Sequence, residues 1–195
     1  MTARSGMSDL ITQLRGMANA GTAEYVVDAQ TFWSDDHLQN ILDENRNEHF
    51  RLPLVPIQTY LGGTVVYLDY FSDIEHLEQT TGGTAIFIVE TSAGSVVPSS
   101  GYTPDYRTGQ LSFAADTGGS PYYLTAREYD LNRSAAQVFR QKASHYAGQV
   151  TFATDNHRVE LGTLYKHCLE MADYYEQRSQ STQVVQLYRS DNYPA

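Results

Sequence analysis

The stretch from Asn132 to Gln180 constrains this chain most, because it carries two helical periodicities joined by a short polar connection. In the first, Ala135, Val138, Phe139, Lys142, Ala143, Tyr146 and Ala147 recur at three- and four-residue steps, while Arg140, Gln141 and Ser144 fall off that face. Lys142 alone interrupts the apolar stripe, and its long stem can carry the amine out to water. Ser134 with Gln137 three residues later forms a capping-box start, and Gly148 supplies a stop. The second pattern, from about Val159, gathers Leu161, Leu164, Tyr165, Cys168, Leu169, Met171, Ala172 and Tyr175 on one broad face. Two amphipathic helices this close in sequence predict an antiparallel pair.

Two shorter helices are expected before it. Ser8 reads as the cap of a helix to Asn19 with Leu10, Ile11, Leu14, Met17 and Ala18 inward. Ser34 reads as the cap of the next, with Asp35 and Asp36 in its positive first turn and Leu38, Ile41 and Leu42 on one face. Phe32 or Trp33 would staple that start to Leu38. Between these helices only Tyr25, Val26 and Val27 look strand-like. After Arg51, Pro53 and Pro56 stop helix formation. Strands are then expected at Thr64 to Tyr70 and Thr84 to Glu90, each opened by a Gly-Gly-Thr turn, with a hairpin at Tyr102 to Phe113 turning at Asp105 to Gly109 and a last strand at Pro121 to Tyr129. Ser72 to Gln79 reads as a loop or one or two helical turns. The fold class expected is α+β: N- and C-terminal helices forming a helical bundle with an inserted small antiparallel β-sheet or barrel. Residues 1–50 and 130–180 would make the helical core, 51–129 the β-rich insertion and 181–195 a flexible C-terminal tail.

Charge and chemistry exclude several functions. Residues 1–50 carry 3 basic and 8 acidic side chains, residues 51–129 again 3 and 8, and residues 130–180 carry 6 of each, so the net charge of -10 lies before the helix pair. A protein that grips phosphates needs a basic patch, and none is evident. No run reaches the roughly 18 apolar residues of a membrane span. The single cysteine, Cys168, forms no disulfide within the chain and sits on the expected core face. His145, Asp155, His157, His167 and Cys168 cluster near the helix pair, but His167 and Cys168 are neighbours pointing about 100° apart, and no zinc-ligand spacing occurs. Asp35, Asp36 and His37 look like an acid–base cluster, but two acids just after the Ser34 cap are explained by the helix dipole. Gly-x-Ser-x-Gly, phosphate-loop and dinucleotide motifs are missing from the sequence, so neither an enzyme nor a cofactor is expected.

Tyr129, Asp130, Leu131 and Asn132, running into Ala135, Ala136, Phe139, Arg140, Lys142 and Ala143 and then Phe152, Asp155 and the Leu164 to Tyr175 helix, resemble the C-terminal half of head-to-tail adaptor proteins of long-tailed bacteriophages. The resemblance extends to the two N-terminal helices and is weakest across residues 51–129. It implies a structural virion protein without catalytic residues, made in the host cytoplasm and placed in the neck between capsid and tail. Its partners would be the portal protein, tail or head-closure proteins and further copies of itself in a ring, a dodecamer matching the portal, through which DNA passes without sequence-specific binding. An acidic channel wall would let phosphate slide. A tail-completion or head-closure component of the neck is the related alternative.

Fifteen tyrosines are more than the core needs. Tyr102, Tyr106, Tyr122 and Tyr123 in the β region are therefore candidate assembly-surface aromatics, or the platform of a carbohydrate-binding module if the function is of another class. The polar tail has one apolar knot, Val184, Val185, Leu187 and Tyr188. It is expected to order on a partner, by resemblance the portal, as an added edge strand.

Overall fold

The computed structural model describes residues 3–80, 86–147, 153–154, 157–158 and 161–179. Among the described residues there are four α-helices: α1 (Ser8–Ala18), α2 (Asp35–Glu44), α3 (Leu131–Ala147) and α4 (Leu161–Ser179). The strands are β1 (Tyr25–Val27), β2 (Gln30–Phe32), β3 (Arg46–Pro53), β4 (Val55–Leu61), β5 (Thr64–Phe71), β6 (Ile88–Thr91), β7 (Tyr102–Asp105), β8 (Gln110–Phe113), β9 (Tyr122–Tyr129), β10 (Ala153–Thr154) and β11 (His157–Arg158). They form a four-stranded sheet in the order β4-β5-β8-β7, a three-stranded sheet in the order β3-β9-β6, and the two-stranded ribbons β1-β2 and β10-β11, with every pairing antiparallel.

This corrects the expected fold class. The chain is mixed but sheet-rich, and its β part is not a small insertion in a helical bundle. The difference starts at β3, which runs straight out of α2 and reads RNEHFRLP. Such a segment has no apolar alternation because it is an edge strand that buries little; its ladder partner β9 holds it in place. A bulge between His49 and Leu52, with Arg51 at φ 51, breaks its period further.

Each layer has its own core. Leu10, Ile11 and Leu14 of α1, Leu38, Ile41 and Leu42 of α2, Ala135, Val138 and Phe139 of α3, and Cys168 and Ala172 of α4 pack together around Trp33 and Tyr129. Tyr70, Leu77, Phe87, Val89, Leu111 and Leu124 centre the second cluster, among the strands. Ser34 caps α2 as expected, its hydroxyl accepting from the His37 N–H. The other expected caps shift. Ser8 is preceded by a 3-10 turn, Ser5–Met7, and caps nothing. Asp130 in place of Ser134 starts α3, its carboxylate accepting the Arg133 N–H at 2.8 Å. Lys142 does not reach water: its amine meets Glu24 at 3.0 Å and the Asn19 carbonyl at 2.9 Å.

The two cores are riveted by a buried carboxylate. Glu78 lies in the loop after β5, 1% exposed, and accepts from Arg4 Nε at 2.9 Å and from the Tyr129 hydroxyl at 2.6 Å. Arg127 stands 3.6 Å away on the strand side, and Arg4 continues to Asp43 of α2 through two further bonds. The residues between β5 and Thr80 are thus a seam, with backbone bonds from Leu77 to Tyr106 and from Glu78 to Arg127.

Candidate assembly surface

β4 and β5 form a long hairpin whose tip, Gly62 and Gly63, takes φ values of 59° and 84° that only glycine adopts at no steric cost. Its base joins the four-stranded sheet, where Tyr70 is fully buried and pairs opposite Pro56. That face looks into the core. The flanking pairs, Val55 with Phe71 and Ile57 with Asp69, therefore face out. Beyond Ile57 the extra residue of a bulge falls on β5, so β4 stays regular and Leu61 continues the outward row. Val55 is 61% exposed, Ile57 38%, Leu61 63% and Phe71 45%. On β4, then, the apolar side chains at even steps point to solvent, while Pro56, Gln58 and Tyr60 alternate with them on the other face. This inverts the arrangement of a one-sided sheet, which puts its apolar row inside.

The outer half of the hairpin is an arm. β8 pairs with β5 only from Asp69 to Phe71, so Thr59–Leu61 and Thr64–Val66 have each other as ladder partners. At its root a turn clasps Tyr67: the Tyr67 N–H donates to Asp116 Oδ1 at 2.9 Å, and the Tyr67 carbonyl accepts from Thr117. The Asp116 carboxylate also takes the Gly118 N–H, and these two backbone donors hold it below the usual carboxylate range. No Asp, Glu, Lys or Arg occurs from Leu52 to Leu68, although 18% of the chain is charged. β4 is also the terminal strand of its sheet, with one row of backbone groups turned away from β5.

The residues singled out from sequence are placed differently. Tyr102 is buried against Phe113 and Phe87, Tyr106 is half-buried on Phe87, and Tyr122 is half-buried edge-on to Tyr70. Burial pushes the Tyr102 and Tyr106 hydroxyls above their ordinary titration range. Tyr123 is half-buried under the Arg51 guanidinium, 4.8 Å from its ring centre. Val184, Val185, Leu187 and Tyr188 lie outside the described residues. The β4 strip went unread in the sequence, although two signals were there: the alternation Val55, Ile57, Leu61 and the charge-free run around it.

A cleft of about 430 Å³ lies at the helical end, lined by Tyr25, Phe32, His37, Gln141 and His145. Its polar atoms serve each other, with His37 between Gln30 at 2.5 Å and Gln141 at 2.9 Å and the His145 ring stacked 3.7 Å from Tyr25. Among the described residues, no three His, Cys, Asp or Glu side chains are grouped to hold a metal ion, and no helix is long and apolar enough to cross a membrane. His167 is exposed and Cys168 buried; the thiol is pushed up by burial. No family model, curated protein or solved structure matches the chain.

Proposed function

We propose that this chain is a structural virion protein, a head-to-tail adaptor that docks on the portal ring, extends the DNA channel and offers the platform for tail attachment. The observation that carries the reading is the outward apolar row of β4, a strand that itself carries no charged residue, a surface with the character of an assembly contact. Mechanism is then geometry: identical subunits close a ring, the C-terminal residues 181–195 reach the portal, and acidic side chains repel the phosphates of passing DNA. Carbohydrate binding needs free aromatic faces, and packing occupies those of Tyr102, Tyr106 and Tyr122.

Negative-stain imaging of the purified protein with and without its cognate portal ring tests the reading. Portal rings lengthened along their axis are expected. Absence of association at every salt concentration would refute the adaptor role, and binding to tails in place of portals would identify the tail-completion or head-closure alternative.

A further inference from the structure

We infer that residues 183–188 of this same chain occupy the cleft at the helical end as an added strand, and that a portal ring draws them out when the subunit docks. The inference rests on the adaptor reading and names what holds the portal-binding tail before assembly.

The cleft is suited to a peptide. Gln30 Nε2 has only protons to offer, so His37 Nδ1 accepts from it, and His37 Nε2 carries the proton that goes to Gln141 Oε1. One ring thus holds two amides and leaves over an acceptor, Gln30 Oε1, and a donor, Gln141 Nε2, both on residues that line the cleft. A residue in a strand presents its N–H and C=O on one edge, which is the complement of that pair. Tyr25, Val27 and Phe32 supply apolar wall beside it. Among the described residues the β1–β2 ribbon has no third strand, although a two-stranded ribbon is marginal in water.

Reach selects the occupant. Ser179 Oγ donates to Asp130 Oδ2 at 2.6 Å, which fixes the end of α4 at the start of α3. From there the rise of α3 puts Gln141 about 17 Å away and His145 about 23 Å. In extended chain Val184 comes about 17 Å after Ser179, and Tyr188 about 30 Å. A tether this short gives a local concentration in the millimolar range, so at micromolar protein a subunit's own tail outcompetes that of a second copy.

Charge selects the cleft. Residues 180–188 contain no Asp, Glu, Lys or Arg, and neither does its lining. Other surfaces within reach differ. The hollow where α4 ends is lined by Glu75, Glu128 and Arg178. On α4 the exposed Tyr165 and Leu169 are interleaved with Lys166, Glu170 and Asp173. The outward row of β4 includes Asp69 and begins where Leu54 bonds Tyr122, about 26 Å from Asp130 along β9.

The experiment replaces Tyr188 in the full chain with a photo-reactive phenylalanine and irradiates it at about 5 µM, far below that local concentration, alone and on portal rings. Links are mapped by mass spectrometry, and mixing with isotope-labelled chains separates those within a chain from those between copies. Links within one chain to residues 25–37 or 141–145 are expected, with at least tenfold loss in a Val185→Asp/Leu187→Asp variant. On portal rings, links to the portal should replace them. Links to another copy, to α4 or to the β4 row, or none in the free protein, overturn the tail contact, while the adaptor reading stands if portal rings are still bound. Cleft links that persist on bound rings overturn the release. Cleft links in a protein that binds no portal ring overturn the adaptor reading and the release with it.

Discussion

Replacing Glu78 tests whether the two cores are riveted as described. The carboxylate is 1% exposed and serves Arg4 at 2.9 Å, the Tyr129 hydroxyl at 2.6 Å and Arg127 at 3.6 Å. Hydrogen bonds to a charged group contribute about 1.5–3 kcal/mol each, and breaking a buried pair on one side costs about 3–5 kcal/mol. Arg4 is 36% exposed and keeps Asp43, and Arg127 keeps Glu48 at 3.1 Å, which lowers the cost. Glu78→Ala should therefore destabilise the protein by about 3 kcal/mol, and Glu78→Gln, which keeps the shape, by about 2 kcal/mol. For a chain of this length the Ala variant should melt roughly 6–12 °C lower. Urea titration with calorimetry reads both. A double-mutant cycle with Tyr129→Phe isolates the 2.6 Å bond. A loss below about 1 kcal/mol for Glu78→Ala would refute the rivet.

Other expectations follow from single sites. Gly109 takes φ 72, and a Cβ there would stand 2.0 Å from the Ile74 carbonyl oxygen, so Gly109→Ala should cost about 3 kcal/mol or more in the same titration. Because the Asp116 carboxyl is lowered in the folded state, its contribution is complete above the ordinary carboxylate pKa and disappears as pH falls through the lowered value. Amide exchange at Tyr67 and Gly118 should accelerate, relative to neighbouring strand amides, only from about pH 4 downward, and Asp116→Asn should show the fast rate at neutral pH. The Cys168 thiol, raised by burial, should react with a thiol-specific electrophile at pH 8 at least tenfold more slowly than in denaturant, and equal rates would show that α4 is not packed as described.

The sequence was legible where local chemistry decides. Ser34 before two acids marks the start of α2, and Asp105 and Gly109 mark the hairpin turn, where Asp105 accepts the Arg107 N–H at 3.0 Å and the Thr108 hydroxyl at 2.7 Å. The helices α3 and α4 follow from their periods, and β9 from the Gly118 and Gly119 that precede it. Legibility failed where distant partners decide. β3 is polar and exists because β9 offers it a ladder, and Ser72 to Gln79 is neither helix nor plain loop but the seam that lowers Glu78 between the cores. On α4 the periodicity implies too broad an inner face. Cys168 and Ala172 are buried, but Leu164, Tyr165 and Leu169 stay at 41, 36 and 37% exposure. The tyrosines misled for a related reason: composition counts rings but does not say which side of a sheet each one takes.

The central strand of the three-stranded sheet, β9, passes through Asp130 directly into α3, which packs on the other three helices. By their residue counts the strand is about 26 Å long and the helix about 25 Å. The connection is covalent from one core to the other. Tension along it meets the ladders to β3 and β6 side by side, so those bonds share the load in shear and cannot open in succession like a zipper. Pressure along it meets a helix already braced on three flanks. A load passing between the two cores therefore has one unbroken member to run along, β9 with α3.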